Sequence, residues 1–136
     1  MTEPPGGPVG GASAGFRRML LEAARSERTV TYGRLMKSFG LSRGRQITRM
    51  IGRVDSAEYA SGAPGFAALI VRKDTGFPGG GYFCDDQLPP KLVRDSSRSA
   101  DPRLSPAEKR HVLRQQKVVW DYYGRRKPFR RVRPTT

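Results

Sequence analysis

Arg45, Arg49 and Arg53 recur at intervals of four residues, with Gln46 beside the first of them. On a helix this spacing gathers three guanidinium groups on one side, while Ile47, Met50, Ile51 and Val54 share the other. Planar cations with forked donors match phosphate oxygens and base edges, so the chemistry of the outward side is recognition of a polyanion. Tyr32 and Arg34 open the preceding apolar-periodic segment, where a hydroxyl and helix-start N–H groups can meet a phosphate. Arg43 precedes the arginine row, and Arg72 with Lys73 follows it in a turn-rich stretch. Arg125, Arg126, Lys127, Arg130, Arg131 and Arg133 then crowd the C-terminus around Phe129 and two prolines. Proline discourages helix, so this arm is expected to lie extended along a backbone or groove, as duplex or RNA arms do. Six neutralised phosphates would give a logarithmic salt slope of about −5 on duplex DNA.

Residue types suited to catalysis or metal binding are sparse and poorly placed. Cys84 and His111 are the single cysteine and histidine, which excludes an internal disulfide and the usual zinc ligand sets. Cys84 reads as a small apolar or free surface residue, and His111 as solvated or facing phosphate. Asp85 and Asp86 could hold Mg²⁺ with Glu22 or Asp74, but neighbours on an extended strand point to opposite faces. A solvated loop is the better reading. Gly79, Gly80 and Gly81 lack the Gly-Lys-Ser/Thr that places phosphate and Mg²⁺, and read as a flexible turn. Neither enzymatic activity nor a metal or cofactor is expected.

The charge balance agrees with a polyanionic partner: 26 Lys and Arg against 12 Asp and Glu give +14 on 136 residues. Such a charge steers polyanions toward the chain without selecting a sequence or a fold. No apolar run reaches the roughly 18 residues of a membrane span, and the first residues lack a basic-then-apolar leader pattern. A cytoplasmic location is expected, nucleoid-associated in a bacterium, with no membrane partner.

Five segments follow from composition. Residues 1–15 are Pro- and Gly-rich with almost no charge, and are expected to form a disordered tail. Residues 16–83 carry 12 basic and 5 acidic residues, net +7, and form the expected folded centre. Phe16, Met19, Leu20, Ala23 and Ala24 make a helical stripe over 14–26. Thr29, Val30 and Thr31 suit a short strand, Tyr32 to Phe39 a helix stopped by Gly40, and Arg43 to Val54 a third helix capped by Ser42. Phe66 to Val71 reads as a buried strand, and Tyr82 with Phe83 as the start of its return across residues 72–81. Residues 84–104 are a polar connection. Ser105, Pro106 and Glu108 form a capping box that opens a helix over 105–123. On it Val112, Leu113, Val119, Trp120 and Tyr123 share an arc, which makes Trp120 and Tyr123 core residues before stacking platforms. Residues 124–136 hold six basic residues and no acidic one.

Thr29 to Gly33, then Thr48 to Gly52, then Ala63 to Val71 with a glycine-rich turn, resembles the winged-helix domain of the alkylguanine-DNA alkyltransferases and alkyltransferase-like proteins. Their order is Val-Thr-Thr-Tyr-Gly, Ala-Arg-Ala-Val-Gly, Pro-Cys-His-Arg-Val and a glycine-rich loop. The resemblance covers residues 16–83. It implies that Tyr32 presses on the backbone of a target nucleotide and that Arg49 enters the base stack. The bland alternatives are a helix-start core residue for Tyr32 and a solvated charge for Arg49. Where the family has Pro-Cys-His-Arg, this chain has Pro64, Gly65, Phe66 and Ala67, so nucleophile, proton relay and arginine are missing and alkyl transfer by that route is not expected.

The expected fold class is therefore α+β, mainly helical: a winged helix-turn-helix with a small β wing, an extra C-terminal helix and disordered tails. The expected function is non-enzymatic binding of nucleic acid, double-stranded DNA first. An RNA- or ribosome-associated factor is the alternative. A protein-interaction module, such as a mobile-element inhibitor acting on a nucleic-acid-binding partner, is the third reading.

Overall fold

A computed structural model describes residues 11–84, 88–95, 101 and 103–124. Helix α1 (Gly11–Arg25) leads through a turn to strand β1 (Val30–Thr31), then helices α2 (Tyr32–Phe39) and α3 (Arg45–Ala60), strand β2 (Ile70–Val71) and helix α4 (Pro106–Gly124). Single 3-10 turns occupy Ala67–Leu69, Gly80–Cys84 and Pro90–Leu92. The fold is mainly helical with one two-stranded sheet.

The helical stripes close around one core. Phe16, Leu20 and Ala24 of α1, Leu35 of α2 and Ile47 and Val54 of α3 meet Phe66, Leu69 and Ile70, with Val119 and Tyr123 of α4 closing the other side. The Phe66 and Tyr123 rings stack with centroids 4.6 Å apart. Trp120 is half-buried and donates its indole N–H to the Arg28 carbonyl at 3.1 Å. Leu113, expected on the same arc, is 54% exposed. Its place on the inward side is taken by Gln116, whose amide donates to the Ala68 carbonyl at 3.0 Å.

Local chemistry fixes the ends of α2. The Thr31 side chain accepts the Arg34 N–H at 3.1 Å, a standard N-cap, so one residue closes β1 and starts the helix. Gly40 ends it at φ 63, a left-handed turn natural to glycine, with its N–H returned to the Met36 carbonyl. The start of α3 differs from expectation. Ser42 does not cap it; the N-cap is Gly44, without a side-chain bond, and the Ser42 N–H is taken by the Gln46 side chain at 2.7 Å. The helix also runs on past Val54 to Ala60 because nothing in residues 55–60 breaks it, which brings Asp55 and Glu58 inside.

Two further expectations are corrected. The helix α1 begins at Gly11, inside the segment read as tail, because Ser13 is buried there against the fold. Among the described residues no wing hairpin forms either. β2 pairs in parallel with β1, Val30 opposite Ile70 and Thr31 opposite Val71, and Tyr82 with Phe83 lies in a 3-10 turn rather than a return strand. The reason is burial: Phe83 is drawn fully into the interior and its carbonyl accepts the Arg94 N–H, which leaves no free edge for a hairpin.

The α4 capping box is present as read. Ser105 Oγ accepts the Glu108 N–H at 3.1 Å, and the Glu108 carboxylate accepts the Ser105 N–H at 2.8 Å. That carboxylate is also the partner of buried Arg94, held at 2.8 and 2.9 Å. The Arg94 guanidinium reaches the Asp101 and Arg103 carbonyls at 2.7 Å each and sits 5.5 Å from the Phe83 ring centre. One buried arginine thus ties Phe83, Asp101, Arg103 and Glu108 together.

Candidate nucleic-acid interface

The apolar side of α3 is spoken for: Ile47 and Val54 are buried, and Met50 and Ile51 are packed against the core. That orientation turns Arg45, Arg49 and Arg53 outward, all exposed, along a row of about 12 Å. Among the described residues no hydrogen bond or ion pair holds these side chains. Gln46 is exposed on the same helix but its amide oxygen is engaged by Ser42. Arg43 precedes it and Arg34 lies on α2, both exposed.

The other expected contacts are less available. Tyr32 is half-buried and its hydroxyl accepts the Gly79 N–H at 3.3 Å, so it holds the glycine turn against the start of α2 instead of standing open to a phosphate. Burial pushes its pKa up, against the Gly79 bond. Arg72 forks onto Asp74 at 2.9 and 2.7 Å, which cancels its charge locally, while Lys73 beside it is exposed. His111 is half-buried near the Tyr82 ring, 6.2 Å between centres, and burial followed by Arg114 lowers its pKa. It is therefore not a solvated histidine. Cys84 is exposed. Residues 125–136, with the six tail cations, and the Asp85–Asp86 pair lie outside the described residues.

Two acidic residues of α3 are withdrawn from the surface. Asp55 is buried and accepts the Phe66 and Ala67 N–H groups at 2.7 and 3.1 Å. Glu58 is buried, clasped by Arg17 and by the Tyr123 hydroxyl at 2.7 Å. Burial, then the bond to Glu58, raises the Tyr123 pKa. With Tyr32 and Tyr123 both raised, their protonated forms stabilise the fold fully below pH 10, and that contribution falls as pH rises beyond 10. Urea melts are expected to lose midpoint between pH 9 and 11 by more than they do in Tyr123→Phe. Equal losses would place the alkaline sensitivity elsewhere.

Gly65 stands where the resemblance places a nucleophilic cysteine, and the site is closed to one. Its φ is 81, and a Cβ there would sit 2.9 Å from both Asp55 Cγ and Tyr59 Cε1. Since Asp55 is anchored by two N–H bonds, it cannot readily yield. Gly65→Cys is expected to cost about 2 kcal/mol or more and to gain no alkyl-acceptor activity. Thermal melting and a methyl-transfer assay check both halves.

Arg110, Arg114 and Lys117 of α4 are exposed and were not among the sequence candidates. Their spacing opposite Val112 and Val119 was a readable signal. Among the described residues, no three His, Cys, Asp or Glu gather to hold a metal ion, and no helix is long and apolar enough to cross a membrane. Comparisons with protein-family models, characterised protein sequences and solved structures return no match.

Proposed function

We propose that the chain is a non-enzymatic nucleic-acid-binding protein that docks the outer face of α3 on duplex DNA. The observation that carries this reading is the row of Arg45, Arg49 and Arg53, all exposed and held by no described carboxylate. An arginine left unpaired at a solvated surface keeps its whole fork of donors for phosphate or base edges. The short α2, the tight turn at Gly40 and the longer α3 support a helix-turn-helix reading, in which the second helix reads and the first braces. Arg34 and Arg43 add phosphate contacts at its flank, and the tail cations add a long-range anchor. Tyr32 acts by fixing the turn at Gly79 relative to α2, and Lys73 reaches the backbone from the same loop.

Salt-titrated competition between duplex DNA, single-stranded DNA and folded RNA tests the reading. Tight, salt-sensitive binding of duplex over folded RNA is expected. A clear preference for folded RNA overturns the DNA assignment, and no measurable binding to any of the three overturns the function itself.

A further inference from the structure

The exposed cations Arg110, Arg114 and Lys117 lie within about 60° of one another around the α4 axis and span roughly 10 Å along it. They stand opposite Val112, Gln116, Val119 and Tyr123, which α4 buries. Among the described residues no hydrogen bond or ion pair holds any of the three. Asp121 shares their arc one turn further on, and exposed Leu113 and Val118 flank it. One bond sets the direction of this row relative to the arginines of α3. Tyr123 of α4 donates its hydroxyl to Glu58 of α3 at 2.7 Å, and both side chains are buried. Counted around each axis, Glu58 lies about 180° from the middle of the α3 arginine row, and Tyr123 about 150° from the middle of the α4 row. The two helices therefore turn these inner faces toward one another and their cations away.

From this arrangement we infer that the outer face of α4 is a second duplex-binding surface, so that one chain bridges two duplexes. The inference rests on the nucleic-acid reading of α3. Cations that no described carboxylate engages keep their donors for phosphate oxygens. Two helices side by side, each about 10 Å across, place the rows on the order of 20 Å apart and facing away from each other, so a straight duplex docked on one row does not reach the other. An acidic protein helix would match the same charge, but Leu113 and Val118 lie about 140° apart around α4 and form no continuous apolar stripe for such a partner. The α4 row is the weaker of the two, because α3 has Arg34 and Arg43 at its flank while α4 carries Asp121 in its arc. α3 thus takes the first duplex and α4 the second.

Beads carrying one short duplex, incubated with the full chain and then with a second, fluorescent duplex, test this. Wild type is expected to bind the beads and to retain the fluorescent duplex. Arg110→Gln, Arg114→Gln and Lys117→Gln together should lower retention of the second duplex at least about tenfold and binding of the chain to the first less than about threefold, as expected when phosphate contacts are removed from one row only. Arg110→Lys with Arg114→Lys keeps the charge and should stay near wild type. Thermal melting of the glutamine variant separates a folding defect from a lost contact. Unchanged retention by a folded glutamine variant, or equal losses at both steps, overturns the role of the α4 row and leaves the α3 reading standing. A wild type that binds the first duplex but captures no second overturns the bridging alone, and one that binds neither overturns both readings.

Discussion

Arg45→Glu, Arg49→Glu and Arg53→Glu together will lower duplex affinity by two to three orders of magnitude at moderate salt. Each phosphate contact contributes about 0.9 to the logarithmic salt slope, so three lost contacts remove nearly 3 units of slope and on the order of a hundred- to a thousandfold in affinity near 0.1 M salt. The fold should not notice, because all three side chains are exposed and unpaired among the described residues, and such surface changes stay within about 0.5 kcal/mol. Binding isotherms across a salt series, with melting curves alongside, give both numbers. An unchanged slope would move the contact to another cationic surface, such as the outer face of α4 or the tail. Unchanged affinity for any nucleic acid would favour the protein-interaction reading.

Arg94→Ala will destabilise the fold by about 3–5 kcal/mol, a large share of the 5–15 kcal/mol that holds a domain together. The substitution strands the buried Glu108 carboxylate, and frees the Asp101 and Arg103 carbonyls at once. Glu108 would keep the Ser105 N–H on one of its oxygens. Arg94→Lys should recover little, since an ammonium does not fork onto a carboxylate while also reaching two carbonyls. Arg94→Met with Glu108→Leu should recover most of the loss, because an apolar pair of similar volume avoids both desolvation costs. Urea denaturation of the four chains checks the order. A single alanine variant as stable as wild type would show that the polar connection does not depend on this pair.

Much of the helical scaffold was legible from residue order alone. The α1 stripe, the exact span of α2 with its glycine stop, and the capping box of α4 are local: each is set by neighbours within a turn or two of helix. The errors were mostly non-local, the Ser42 cap being the exception. Ser42 reads as a cap until Gln46 takes its N–H, and Val54 reads as an end until Asp55 and Glu58 find partners in Phe66, Ala67, Arg17 and Tyr123. Acidic residues in a helix ordinarily signal solvent. Here their partners come from segments far along the chain, and periodicity carries no trace of that.

The same division holds for the candidate site. Sequence determined the arginine row, because apolar residues at 47, 50, 51 and 54 fix which side of a helix must be buried and so which side remains for cations. It also put a glycine, Gly65, where the resemblance has a nucleophilic cysteine. Tertiary structure decided which cations stay available: Arg72 is committed to Asp74, Arg17 to Glu58 and Arg94 to Glu108. It turned Tyr32 inward to Gly79, and it set Tyr59 against Gly65. Charge and periodicity are properties of a segment and survive in the sequence; pairing, burial and closure depend on what the rest of the chain brings alongside.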